Sequence, residues 1–345
     1  MPRIKIASFN IEWMNDWFVA DSQSAAFRPT FTRDSQLNDT ATTCGRAADL
    51  IRAIDADVIA LQEAASRSQE VELFINDFLS DAGAPIYHFL LGSSGGAQKL
   101  ALLWKPTSVS VEPAPPSSIV QLHDPFDADV DADGLLEEYE FTRKPLVANV
   151  TVSGHALQIV VMHTKSNFIN NGQSLWLNLA TRQEYVVQAL KSRRRISAEG
   201  VRTRTYLDGA LALDPNVRIV VLGDLNDGPG RDYFEEKYLS HSVTDAIAGS
   251  VYDPEGNLNH AQHDVPPAQR FTAIFDDFVT GENQKRVLLD HILLSPGLSN
   301  ESGLHVVPGS GAVAHTEFSS FVANQGLKRE DRPSDHRPVS VLLEF

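Results

Sequence analysis

Residues 220–230 read VVLGDLNDGPG. An apolar run ends at Gly223, followed by Asp224, one apolar residue, Asn226, and a turn of Asp227, Gly228, Pro229 and Gly230. This is the pattern of a buried strand that delivers a carboxylate and a carboxamide to its C-terminal edge, with a Gly/Pro turn clearing space beside them. In open α/β sheets, ligands bind in the crevice beyond the carboxyl ends of strands. In isolation, Asp224 and Asn226 read equally well as an Asx pair that stabilises the turn.

Working outward, the same grammar recurs. IKIASFN (4–10) is a strand ending at Asn10, with Glu12 two residues on. A buried strand at 58–62 runs into Glu63. ALQIVVMH (156–163) ends at His163 and forms a hairpin with 145–152 around Ser153-Gly154. VLLDHILL (287–294) is a strand carrying Asp290, and SDHRPVSVLLEF places Ser334, Asp335 and His336 ahead of a closing strand. His291 points to the opposite face from Asp290 and is left out of the site. LALLW (100–104) and 109–111 read as an antiparallel pair around Lys105-Pro106-Thr107. Helical spacing marks 45–54, 71–79 and 175–191. Residues 14–43 form a long polar loop whose Trp17, Phe18, Phe27 and Phe31 suggest partial packing, and 112–140 is a Pro-rich, then Asp-rich insertion. Without an internal repeat or a composition shift, the chain reads as a single α/β domain, 1–345, with those two insertions.

Composition narrows the classes. The chain of 345 residues is 42% hydrophobic, enough for a substantial core, and no run approaches the roughly 18 apolar residues of a membrane span. A strand beginning at Ile4 leaves no room for a signal peptide, so a cytoplasmic location is expected. Cys44, the single cysteine, forms no intrachain disulfide. A net charge of −16 argues against tight, nonspecific duplex binding. The charge is uneven: 124–140 holds eight acidic residues and no basic one, while 182–204 holds seven basic residues against Glu184 and Glu199. The basic run is either a solvated helix end or a nucleic-acid patch. No obligate protein partner is evident.

The polar strand ends collect Asn10, Glu12, Glu63, His163, Asp224, Asn226, Asp290, Asp335 and His336. Oxygen donors dominate, and no Cys cluster or HExxH pair suggests zinc. Such a set suits hard Mg²⁺ or Mn²⁺. The histidines are then available for proton transfer or for stabilising negative charge. Metal, carboxylates and histidine together point to hydrolysis of a phosphate ester.

Seven motifs follow one another along the chain: SFNIEW (8–13), LQEA (61–64), FTRKP (141–145), MHTKS (162–166), GDLND (223–227), LLDHILLS (288–295) and SDHRP (334–338). Their order and wording resemble the endonuclease/exonuclease/phosphatase superfamily, of deoxyribonuclease I-like fold. The resemblance implies a four-layer α/β sandwich, two mixed β-sheets packed face to face with helices outside. It implies that Glu63 is the main metal ligand, with Asn10, Glu12 and Asp335 around the metal and its waters. Asp224 then orients or deprotonates the attacking water, and Asn226 supports it and holds a phosphate oxygen. His336 contacts the phosphate or shuttles a proton, and Asp290 orients its ring. His163 stabilises the phosphoryl oxygens, and Arg143 grips a phosphate. Gln98, with Gly96, stands where the deoxyribonuclease pattern has a glutamate and a tyrosine, and is expected to hydrogen-bond His163. Ala64-Ala65 replaces an arginine, so duplex binding of the pancreatic type is not implied. The implied activity is Mg²⁺/Mn²⁺-dependent phosphodiester hydrolysis, as a nuclease on nucleic acid or on a small phosphodiester. The alternatives are a phosphatase or phospholipase C-like hydrolase, and an inactive binding module.

A separate motif lies in the insertion. Asp129, Asp131, Asp133, Gly134, Leu135 and Glu140 follow the spacing of a 12-residue Ca²⁺ loop. Its flanks do not read as two helices. The stretch is a cation site or a solvated acidic flap.

Overall fold

Both parallel strand pairs lie near the middle of a sheet. The computed structural model describes residues 1–20, 23–33, 35–94, 96–131, 133–239, 242–300, 303–322 and 329–345. One mixed sheet runs His305–Val306, Val339–Glu344, Arg3–Asn10, Val58–Ala64, Lys99–Trp104, His88–Leu91, with Ala312–Val313 also on Val339–Glu344. The other runs Asn259–His260, Asp290–Leu294, Ile219–Asp224, His155–His163, Leu146–Val152, Ser110–Pro113. Arg3–Asn10 is parallel to Val58–Ala64, and His155–His163 is parallel to Ile219–Asp224. The carboxyl ends of all four therefore carry the polar residues singled out above.

Period-2 alternation sets the layers. Ile6, Ile159, Val220, Leu222 and Val341 meet between the sheets. Phe9, Ile59 and Leu61 face outward onto the core of Thr40–Ile54 and Ser68–Phe78. Val160, Met162, Ile219 and Val221 face the 32-residue helix Arg182–Leu213. The result is helix, sheet, sheet, helix: the four-layer α/β sandwich. Strands buried on both faces read as continuous apolar runs, and each such side chain contributes about 2 kcal/mol on burial.

Several expectations need correction. The first helix starts at Thr40, ahead of 45, because the Asp39 side chain caps it by accepting from Thr42 N at 2.7 Å. The expected helix at 175–191 is two helices, Gly172–Leu177 and Arg182–Leu213. Asn178 Oδ1 accepts from Ala180 N at 3.0 Å, an Asx turn that competes with helix continuation. Residues 100–104 and 109–111 do not pair. Lys99–Trp104 already has neighbours on both edges, so the chain crosses to the second sheet as Ser110–Pro113. The last strand before the C-terminal region begins at Asp290, because Thr272 Oγ1 takes the N–H groups of Leu289 and Asp290 at 3.0 and 3.2 Å. The segment 14–43 contains a 3₁₀ turn, Met14–Trp17, and a hairpin of Thr30–Arg33 with Gln36–Asp39, anchored by buried Trp17, Phe18 and Phe31. The hairpin around Ser153-Gly154 is present, and both turn residues adopt positive φ. Among the described residues, no helix is long and apolar enough to cross a membrane.

Candidate active site

Register places the chemistry. Asp224 lies opposite His163 on its parallel neighbour and opposite Asp290 on its antiparallel neighbour. Gly223 makes this level possible: at φ 147°, a Cβ there would stand 1.8 Å from Met162 O. In the facing sheet, Asn10 pairs with Gln62, and Glu63 follows inside a register break at φ 58°. The bulge turns the Glu63 carboxylate toward the crevice.

Asp224 is the hub. Its Oδ2 accepts from Asn10 Nδ2 at 2.9 Å and lies 3.4 Å from His163 Nε2 and 3.9 Å from His336 Nε2. Its Oδ1 accepts from Asn226 N at 2.8 Å. Asn226, at φ 49°, donates its side-chain amide to Thr164 O at 3.2 Å. His336 Nδ1 meets Asp290 Oδ2 at 2.7 Å. Glu63 accepts from Trp13 N at 2.9 Å and Gln98 Nε2 at 2.8 Å, with Asn10 Nδ2 at 3.5 Å.

The electrostatics assign protonation. Burial pushes the Asp224 carboxyl up to about 7, with His336 opposing and Asp290 adding to the rise. Burial holds His163 well below the usual imidazole range, reinforced by Arg143, His336 and Lys165, so its ring is neutral. Burial also acts to lower His336, but Asp290, Asp224 and Asp335 outweigh it, so that ring is an imidazolium. One histidine is thus a neutral hydrogen-bonding group and the other a cation. Burial and repulsion from Asp335 raise Glu63.

That repulsion bears on a metal. Glu63 and Asp335 are acidic neighbours whose charges disfavour each other, and a divalent cation between them would relieve this. The oxygen-rich donor set suits a hard cation. Glu12 is more constrained: its Oε2 accepts from Asp335 N at 2.8 Å and its Oε1 lies 3.8 Å from Arg332. Asp224, Asp290 and His336 also lie close enough together to hold an ion. His336 Nδ1 is already occupied by Asp290, and this trio is better suited to proton handling.

Gln98 requires a correction. It bonds to Glu63 and accepts from an Arg143 NH2 group at 2.5 Å, and His163 Nδ1 is buried with no hydrogen-bond partner among the described residues. Its carboxamide is drawn between a carboxylate and a guanidinium. Arg143 also donates to Thr164 O at 3.1 Å, so it enters the site already held. Asn167 donates to Asn226 O at 2.8 Å, and Lys165 Nζ to Ser166 O at 2.8 Å. His291, as expected, faces away, bonded to Asp227 O and His260.

Three supporting residues were missed. Ser334 Oγ donates to Asn10 O at 2.7 Å and accepts from His336 N at 3.0 Å, joining the chain's last motif to its first. Its place in SDHRP was the available signal. Thr272, which fixes the backbone at Asp290, carries no sequence signature, and Thr164, whose carbonyl Arg143 and Asn226 share, lies within MHTKS.

The acidic insertion forms a hairpin, Phe126–Ala128 with Glu137–Tyr139, and its flanks are indeed not helices. Asp129, Asp131 and Asp133 converge, but Asp131 pairs with Arg194 at 2.7 Å and Glu140 lies 3.9 Å from Arg195. Much of the basic run is paired within the fold, while Lys191 is exposed and lines a groove with Arg194 and Arg195. Arg193 Nε donates to Asp232 at 2.8 Å, Arg195 to Glu140 O at 3.1 Å, Arg202 to Gln121 O at 2.7 Å and Arg204 Nε to Asp208 at 2.8 Å. A groove of about 720 Å³ lies between hairpin and helix, and no residue of the constellation lines it.

Comparison with known proteins agrees with this fold. A profile described as "Endonuclease/Exonuclease/phosphatase family" matches residues 44–336. Solved structures of similar fold include humanized D. rerio TDP2 carrying 14 mutations, at 14% identity over 99% of this chain and 99% of that chain, TM-score 0.51. Truncated Caenorhabditis elegans TDP2 is similar at 12% identity over 99% and 98%, TM-score 0.51. An endonuclease/exonuclease/phosphatase from Bacteroides vulgatus is similar at 13% identity over 100% of both chains, TM-score 0.51. At such identities the likeness speaks for the fold alone. No curated protein matches the sequence.

Proposed function

The chain belongs to the endonuclease/exonuclease/phosphatase family, and from that premise we propose metal-dependent phosphodiester hydrolysis and a role in it for each residue of the site. The observation that carries the reading is the buried Asp224 carboxylate, which accepts from Asn10 at 2.9 Å and stands 3.4 Å from His163 Nε2 and 3.9 Å from His336 Nε2. A carboxylate so poised takes a proton from water near neutral pH.

Mg²⁺ or Mn²⁺ is the proposed cofactor, held by Glu63 with Asn10, Glu12 and Asp335 around it; when bound it supplies positive charge against the phosphate oxygens. Asp224 orients and deprotonates the attacking water, and Asn226 holds Asp224 through its backbone N–H. His336, oriented by Asp290, is the proton donor or charge partner on the phosphate. His163 offers Nε2–H to the phosphoryl oxygens. Arg143 presents its guanidinium, steadied by Gln98 and Thr164 O, to a non-bridging oxygen. A cation at 129–140 is proposed as Ca²⁺, which has to displace Arg194 from Asp131.

The substrate class proposed is a short or single-stranded nucleic acid or a small phosphodiester. The acidic net charge and the internally paired arginines of the long helix both disfavour a long duplex. The test is turnover of a bis-aryl phosphodiester, single-stranded DNA, RNA and a monoester with Mg²⁺ or Mn²⁺, by the parent and Asp224→Asn. A loss of roughly 10²- to 10⁴-fold in kcat is expected for the variant. Parental turnover in Asp224→Asn, or cleavage of the monoester alone, overturns the reading.

A further inference from the structure

We propose that Glu199 is a positioning residue for catalysis, its carboxylate clamping the loop that presents Arg143 to the loop that follows His163. The inference rests on reading those two residues as part of the hydrolytic site.

Glu199 lies on Arg182–Leu213 and is completely buried. A buried carboxylate is costly unless its oxygens are satisfied, and a helix that needed only packing here would carry an apolar side chain. Thr142 N–H donates to Glu199 Oε1 at 2.7 Å, and Lys165 N–H donates to Glu199 Oε2 at 2.8 Å. Thr142 immediately precedes Arg143, and Lys165 follows His163 by two residues. Both lie outside the strands Leu146–Val152 and His155–His163, so neither N–H is held by the sheet ladder.

The same peptide plane is held from its other edge. Thr164 O, on the peptide bond that carries Lys165 N–H, accepts from Arg143 at 3.1 Å and from Asn226 Nδ2 at 3.2 Å. One peptide unit is thus fixed by Glu199 through its N–H and by Arg143 and Asn226 through its carbonyl. Arg195 Nε, one turn earlier on the helix, stands 4.0 Å from Glu199, near enough to favour the charge but not to replace either amide. Releasing the clamp frees the Lys165 peptide to rotate, and with it the carbonyl that sets Arg143 and Asn226. A misplacement of about 1 Å costs on the order of 10²-fold in rate.

Glu199→Gln keeps the length and one acceptor but turns an NH₂ toward the second amide. Glu199→Asp keeps the charge and loses the reach. Two measurements on the full chain decide the matter: hydrogen exchange of peptides covering 141–145 and 162–168, and Mn²⁺-supported turnover of bis(p-nitrophenyl) phosphate. Exchange about 10-fold faster at both peptides is expected in each variant, with kcat down roughly 10- to 100-fold. Combining Glu199→Gln with Arg143→Ala should cost little beyond Arg143→Ala alone. A burial-only or charge-only role predicts parental kinetics in Glu199→Asp. Unchanged exchange at both peptides, or kcat within about 2-fold of the parent in both folded variants, overturns the proposal. A parent without diesterase turnover refutes the functional reading instead, and the exchange result then decides the clamp alone.

Discussion

His336 Nδ1 and Asp290 Oδ2 stand 2.7 Å apart, with Asp290 fully buried behind the ring. The pairing fixes which face the imidazolium turns to Asp224. Asp290→Asn removes the charge and can turn an amide N–H toward Nδ1. A loss of roughly 10²- to 10⁴-fold in kcat is expected, with circular dichroism unchanged. Activity within about 3-fold of the parent would show that His336 does not depend on Asp290.

Arg143 is held by Gln98 and by Thr164 O before any phosphate arrives. Arg143→Ala should lower kcat/KM by about 100-fold on a phosphodiester. Arg143→Lys should recover little of it, since a point charge cannot satisfy two acceptors and a phosphate with one planar fork. Full rescue by lysine, read from steady-state kinetics, counts against the fork geometry.

Gly223→Ala tests the backbone beneath Asp224. A Cβ would meet Met162 O at 1.8 Å, and no flexible side chain is there to give way. A destabilisation of about 2 kcal/mol or more is expected, visible as a lower denaturant midpoint. An unshifted midpoint would contradict the close approach of these two strands.

Away from the reaction centre, burial and then Asp227 push the Glu235 carboxyl up to about 8, from an ordinary value of 4.5. Between those values the folded chain retains a proton that the unfolded chain has lost. This contribution to stability is therefore full below about 4.5 and declines as pH rises toward 8. Asp227, pushed up to about 6 by burial, adds to the same decline. Glu235→Gln keeps the acceptor for Asp232 N and should melt about 2–4 °C above the parent at pH 9, with little difference at pH 5. Parallel melting curves against pH would reject this.

For the acidic hairpin, Ca²⁺ should raise Tm, and Arg194→Ala should enlarge the gain by removing the cation that already pairs with Asp131. Differential scanning fluorimetry across a Ca²⁺ series reads both. A Tm unaffected by Ca²⁺ in parent and variant leaves the hairpin as a flap pinned by arginine.

Much of the fold was legible because its central strands are buried on both faces. Val220 and Leu222 face one layer while Ile219 and Val221 face another, and the apolar run shows it. The polar residues at strand ends were legible for the converse reason: Asp224, His163 and Asp290 interrupt runs that otherwise have no place for charge. Partnership across the fold was not legible. The Lys99–Trp104 and Ser110–Pro113 strands look like a hairpin locally, and only the occupied edges of the first send the second to another sheet. The resemblance pairs Gln98 with His163, yet in the fold its amide meets Glu63 and its carbonyl meets Arg143. Glu199 reads in the sequence as one of two acids within a basic run, since nothing local encodes which backbone amides a carboxylate will meet.

Asn10 and Asp224 touch at 2.9 Å, although one belongs to each sheet. The reaction centre therefore has no scaffold of its own, and its halves are spaced by the thickness of the apolar layer between them. Trimming Ile159 or Leu222, both within that layer, alters the gap across which water and phosphorus must line up. Constellations of this kind tolerate displacements of only about 0.5 Å. Turnover should thus act as a caliper for the sandwich, registering slips of one sheet over the other separately from the roughly 2–5 kcal/mol of stability that each trim costs.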